Sequence, residues 1–148
     1  MKIFALQGVN NTGKTCTLKL VINKLKDRGY TMNKPTAIDK DKYDIAVTLK
    51  SPQGKTICVY TQGDMEKFVN RAIEYFKQNN CEIGFCAVRS KGKGADKLYS
   101  LTEEKDGITV EFIPKAFIAN ASGLNISQEY INAVNDLQAE VMIKHLPL

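Results

Sequence analysis

Gly8-Val9-Asn10-Asn11-Thr12-Gly13-Lys14-Thr15 is the stretch on which the reading of this chain turns. Before it, residues 2–7 alternate loosely between apolar and polar and suit a first, buried strand. After it, Leu18, Val21, Ile22 and Leu25 recur at i, i+3, i+4 and i+7, one face of a helix over 13–28 that Gly29 can close. The spacing G-x-x-x-x-G-K-[ST] between a strand and a helix has a physical logic. Gly8 and Gly13 let the backbone wrap without Cβ clashes. The N–H groups of residues 8–16, Asn10, Asn11, Thr12 and Cys16 among them, then converge with the helix N-terminus on an anion site. Lys14 is expected to reach the β- and γ-phosphates of a bound nucleotide, and the Thr15 hydroxyl to sit on Mg²⁺.

Outward from this loop, residues 30–43 are polar, contain Pro35 and read as a loop. Ile45, Val47 and Leu49 alternate, and Thr56-Ile57-Cys58-Val59-Tyr60 follows the turn signal Ser51-Pro52-Gln53-Gly54, which predicts an antiparallel hairpin. Asp64 is a candidate cap for a helix whose stripe is Met65, Phe68, Val69, Ala72, Ile73 and Phe76. Residues 81–88 read as a strand, 95–105 as a short helix, 108–113 as a strand, and Phe117-Ile118 as part of a further short strand. Ser127 caps a last helix over 127–145 with Tyr130, Val134, Leu137 and Val141 on one face. Alternation of strands and helices predicts an α/β fold in three layers: a mostly parallel sheet, covered on both faces, with an antiparallel edge hairpin. Ligands of such sheets lie at the carboxyl ends of the strands.

Residues 1–29 resemble the opening unit of the P-loop nucleoside triphosphatases, with a Walker A motif in full. The wider element order is similar too, so the resemblance covers most of the chain as one nucleotide-binding domain over 1–148. Three segments together resemble small ATP-binding proteins of bacteria and their mobile elements: the loop itself, Thr61-Gln62-Gly63-Asp64 after an apolar strand, and Cys86-Ala87-Val88-Arg89 ending the next. The resemblance implies Mg²⁺ and ATP as cofactors and phosphoryl transfer or hydrolysis as the reaction, kinase-like or NTPase. Two departures matter. The strand-end acid that holds Mg²⁺ in the family is missing after Ile57-Cys58-Val59-Tyr60, which makes a non-catalytic switch or subunit, completed by a partner, the alternative. The guanine-reading Asn-Lys-x-Asp is also absent, which favours ATP over GTP.

Further candidates come from location. Gly63 is placed to approach the γ-phosphate through its N–H, and Gln62 or Asp64 to orient water or the metal. Arg89-Ser90-Lys91-Gly92-Lys93-Gly94-Ala95-Asp96-Lys97 reads as a cationic lid, with Arg89 the residue that stabilises transferred charge, or as a solvated surface turn. Asp39-Lys40-Asp41-Lys42-Tyr43-Asp44 alternates in sign and reads first as a solvated face. If it folds over the site, Asp39, Asp41 or Asp44 is available as the metal acid.

Composition bounds the rest. The chain has 148 residues, long enough to bury a core without disulfide or structural metal. Its net charge of +5 suits anionic ligands; Tyr99 is the aromatic nearest the basic segment, without the stacking series of a nucleic-acid groove. Cys58, Cys81 and Cys86 sit in apolar runs without a C-x-x-C pair, which predicts buried thiols and a cytoplasmic protein. No apolar run approaches a membrane span, and the apolar start is too short for a signal peptide. His145 is the one histidine, which argues against zinc sites built on histidine and against a Ser-His-Asp triad. A protein partner or a homodimer is compatible with the sequence.

Overall fold

The computed structural model describes residues 1–40, 42–103, 106–116, 127–144 and 146. They form seven strands and four helices in one mixed sheet with helices on both faces. The chain runs β1 (Lys2–Gln7), α1 (Lys14–Asp27), β2 (Thr31–Met32), β3 (Thr36–Ala37), β4 (Ile45–Lys50), β5 (Thr56–Tyr60), α2 (Glu66–Gln78), β6 (Ile83–Val88), α3 (Lys93–Leu101), β7 (Thr109–Pro114) and α4 (Gln128–Ile143). The sheet order is β2-β4-β5-β6-β1-β7, with β3 also paired to β4.

The centre is parallel: β5 with β6, β6 with β1, and β1 with β7. Its strands read as nearly continuous apolar runs because both faces are covered. Along β1 the pleat sends Phe4 and Leu6 to one face and Ile3 and Ala5 to the other. On the first face α1 and α4 cover the sheet, and Phe4 stacks on Phe85 there with ring centroids 5.3 Å apart. On the second face lie α2 and α3. Cys58, Cys81 and Cys86 are buried as read, and Cys16 is exposed.

Antiparallel pairing of β4 with β5 follows from the short Ser51–Gly54 turn, where Ser51 and Lys55 close the loop. The hairpin is not the bare edge of the sheet, however. Two-residue strands β2 and β3 lie in the segment read as loop and pair with β4. Elements of two residues leave no period in a sequence, so nothing marked them.

Two further expectations are corrected. Asp64 does not cap α2; the capping position is Met65, which is exposed and stands outside the helical stripe. The predicted stripe on α4 is the wrong one. Tyr130, Leu137 and Val141 are 65%, 67% and 54% exposed, whereas Asn135, Ala139, Met142 and Ile143 face the core. The helix carries two apolar stripes, and its rotation is set by polar partners: Lys24 pairs with Asp136 (2.9 Å) and Glu140 (3.1 Å), Arg28 pairs with Glu140, and Asn135 is held from beneath. Ser127 does cap α4, its hydroxyl accepting from the Tyr130 N–H at 3.3 Å. Phe117-Ile118, Asp41 and His145 lie outside the described residues. Among the described residues no helix is long and apolar enough to cross a membrane.

Candidate functional site

Register decides what meets at the carboxyl edge of the sheet. Gln7 of β1 lies beside Val88 of β6 and Pro114 of β7, so Gly8, Arg89 and Lys115 leave the sheet side by side. The Gly8 N–H donates to Val88 O (3.1 Å), and the Lys115 N–H to Gln7 O (2.7 Å). The loop then turns over helix α1. Asn11 (φ 58°) and Gly13 (φ 90°) both take the left-handed conformation, which Asn tolerates and Gly adopts freely. Gly13 O receives both the Thr17 N–H (2.9 Å) and the Thr17 hydroxyl (2.8 Å), which starts the helix and leaves its first amides open.

Lys14 is 5% exposed, yet its ammonium is not paired in the usual way. It donates to Gly8 O and Val9 O, each at 2.8 Å, and lies 3.7 Å from Asp64 Oδ1. Burial lowers its pKa below the ordinary lysine value of 10.5; Asp64 opposes that shift and the nearby Arg89 charge adds to it. The Thr12 hydroxyl donates to Val9 O (2.8 Å) and stiffens the loop. A cavity of about 170 Å³ opens in front, lined by residues 10–16, Tyr43, Asp44 and Asp64.

Asp44 is one of the three acids the sequence leaves open, and of the two among the described residues, Asp39 and Asp44, it is the one that lines this cavity. It precedes β4, which runs antiparallel to β5 beside it. The start of β4 therefore lies at the same edge as the ends of the parallel strands, and the Thr61 N–H donates to Ile45 O there (3.0 Å). Asp44 is 4% exposed. Its Oδ1 accepts from the Thr61 hydroxyl (2.7 Å) and the Thr15 hydroxyl (3.1 Å), and its Oδ2 from the Gln62 amide (3.0 Å). Gln62 Oε1 accepts from the N–H groups of Gly63 (3.0 Å) and Asp64 (3.2 Å), which fixes which end of the amide faces the carboxylate.

The remaining expected residues divide between two places. Gly63 does not line the loop cavity. It lines a cleft of about 140 Å³ with Asp64, Arg89 and the Lys91–Gly94 segment. A Cβ on Gly63 would stand 1.8 Å from Ala87 O, so the glycine is there to let this segment lie against the end of β6. Arg89 is exposed, and part of the basic segment is the first turn of α3 rather than loop. Tyr99 stacks on Phe112 at 4.2 Å between centroids.

Two residues of the site carry no signal in the sequence. Lys115 is 6% exposed and donates to Asn135 Oδ1 (2.8 Å). Burial lowers its pKa, Cys16 opposes that and the Lys14 charge adds to it. Asn135 in turn packs on Gly13, where a Cβ would stand 3.0 Å from its Nδ2. No spacing in the sequence links 13, 115 and 135; only the sheet and α4 bring them together. Cys16 Sγ lies 3.3 Å from the Tyr43 hydroxyl, a contact that, with burial, pushes the phenol up to about 12 and keeps it neutral.

No protein-family model, no curated protein and no solved structure matches this chain. What the site can do therefore follows from its own geometry.

Proposed function

We propose that the protein binds a nucleoside triphosphate, ATP, as its Mg²⁺ complex in the manner of a P-loop protein, with phosphoryl transfer or hydrolysis as its chemistry. The observation that carries this reading is Lys14. A buried ammonium held by two carbonyls of its own loop, at the mouth of a helix N-terminus, is a cation kept ready for an anion. Open amides and a lysine of this kind suit a chain of phosphates better than one carboxylate.

In this reading the loop amides and Lys14 hold the β- and γ-phosphates, and Thr15 binds Mg²⁺. The residues present fit that ion: Thr15 Oγ1 and the carboxylate oxygens around the cavity are hard donors. Among the described residues no group of three or more His, Cys, Asp or Glu could hold a metal alone, so the ion would take the rest of its shell from phosphate and water. Bound there, it would neutralise phosphate charge. Water or an acceptor hydroxyl attacks the γ-phosphorus, the bond to the β–γ bridging oxygen breaks, ADP leaves, and the nucleophile's proton passes to solvent. Arg89, which lines a cleft with Asp64, is the side chain for the charge that develops.

The alternative, a nucleotide-binding switch without useful turnover, is favoured by the end of β5. Tyr60 and Thr61 stand where an acid is expected, and Gln62 is spent on Asp44, Gly63 and Asp64. Calorimetric titration of Mg²⁺-ATP decides whether the site exists. Binding by the wild type that Lys14→Ala weakens about tenfold or more is the expected result. Equal binding by both proteins would remove the proposal. Phosphate release by the isolated protein then separates the enzyme from the switch.

A further inference from the structure

The geometry points to Asp44 as the carboxylate that, with the Thr15 hydroxyl, holds the divalent cation of the bound triphosphate. This rests on the nucleotide reading above and names the acid which that reading lacks.

Asp44 is short of positive charge. It is buried, yet among the described residues no lysine or arginine pairs with it; its partners are two hydroxyls and one amide, all neutral. A buried carboxylate is costly unless a cation compensates it. Asp64 differs on this point: it is more exposed and already faces Lys14 at 3.7 Å.

The company Asp44 keeps points the same way. It lines the same cavity as the phosphate-binding amides and Lys14, and Asp64 lines it too. Two carboxylates in an anion cradle repel a polyphosphate. A divalent cation between carboxylate and phosphate turns that repulsion into attraction.

Spacing agrees as well. Thr15 Oγ1 and Asp44 Oδ1 are 3.1 Å apart. Adjacent oxygen ligands of an octahedral ion with bonds of about 2.0–2.1 Å stand about 3 Å apart. The present hydrogen bond therefore holds both oxygens at the separation a magnesium ion would impose. Oδ2 stays anchored by Gln62, which fixes the carboxylate plane.

The test is the Mg²⁺ dependence of ATP affinity, measured on the full chain by calorimetry with and without the metal. In the wild type Mg²⁺ should tighten ATP binding by about tenfold or more. Asp44→Asn should keep or improve metal-free ATP binding, since it removes a negative charge, and should lose most of the Mg²⁺ enhancement. Asp64→Asn should retain the enhancement. An Asp44→Asn protein that folds and keeps the full enhancement overturns the inference while leaving the nucleotide site intact. Absence of ATP binding by the wild type overturns both. Should Asp44→Asn fail to fold, the wild type labelled with ¹³C at aspartate carboxyls answers instead. With ATP and substoichiometric Mn²⁺, the Asp44 signal should broaden away before that of Asp64; the reverse order overturns the assignment.

Discussion

Two opposed influences act on Lys14, burial and the Asp64 carboxylate, and burial prevails. Burial lowers its pKa from 10.5 in the folded protein. Between that lowered value and 10.5 the unfolded chain holds more protons than the folded one. Stability therefore rises with pH through this window, and below it the folded protein carries the whole penalty of a buried charge. A bound anion reverses the sign, because phosphate favours the ammonium and raises the pKa again. ATP binding should then take up protons once pH passes the lowered value, and affinity should fall as pH rises further. Calorimetry in buffers of different ionisation enthalpy reads this directly, and proton release instead of uptake would contradict it. At Gly63 the constraint is steric rather than electrostatic. Its φ is not in the left-handed region, so the demand for glycine there is one of space, set by Ala87 O, which would lie 1.8 Å from the methyl carbon of an alanine. Gly63→Ala should cost about 3 kcal/mol in chemical denaturation and weaken the site through displacement of Asp64. An unchanged denaturation midpoint would show that the end of β6 yields.

At the scale of elements, the strand–loop–helix at 2–27 was legible because each part carries its own local signal: a short apolar run, glycine spacing and a 3.6-residue stripe. The placement of Asp44 was much less so. A search for an aspartate after an apolar strand follows parallel topology, in which strand ends gather at the ligand edge. Asp44 reaches that edge from the start of an antiparallel strand, so the signal to look for is an acid immediately before the outer strand of a hairpin. Helix α4 shows the other limit of local pattern. Its two apolar stripes have similar period, and the one that faces the core is accompanied by the contacts of Asn135, Asp136 and Glu140 with distant segments. The choice has a measurable consequence. Met142→Ala, at 1% exposure, should destabilise the protein by about 2–5 kcal/mol. Leu137→Ala, at 67%, should stay within about 0.5 kcal/mol in the same urea titration. Equal losses from both would return the predicted stripe to the core.

Across the whole molecule, the three layers divide their labour. The face covered by α1 and α4 supports the glycine loop through Asn135 and Lys115, and the other face carries α2 and α3, whose leading segments line the Arg89 cleft. Composition and alternation were enough to foresee the layers, since covering both faces of a sheet is a demand on the total of apolar residues. Pairings between distant segments, such as Asn135 with Lys115 or Asp44 with Thr15, obey no periodicity and became visible only in three dimensions. One of them bears on what the protein ignores. Lys14 already rests on Gly8 and Val9, and Thr15 already rests on Asp44. A ligand of the proposed kind would have to displace these internal bonds at both ends. Orthophosphate or sulfate would reach one end only, whereas the proposed metal-bearing triphosphate would replace both at once. Under the proposed reading the cradle would therefore act as a threshold device, favouring a ligand long enough to satisfy both ends.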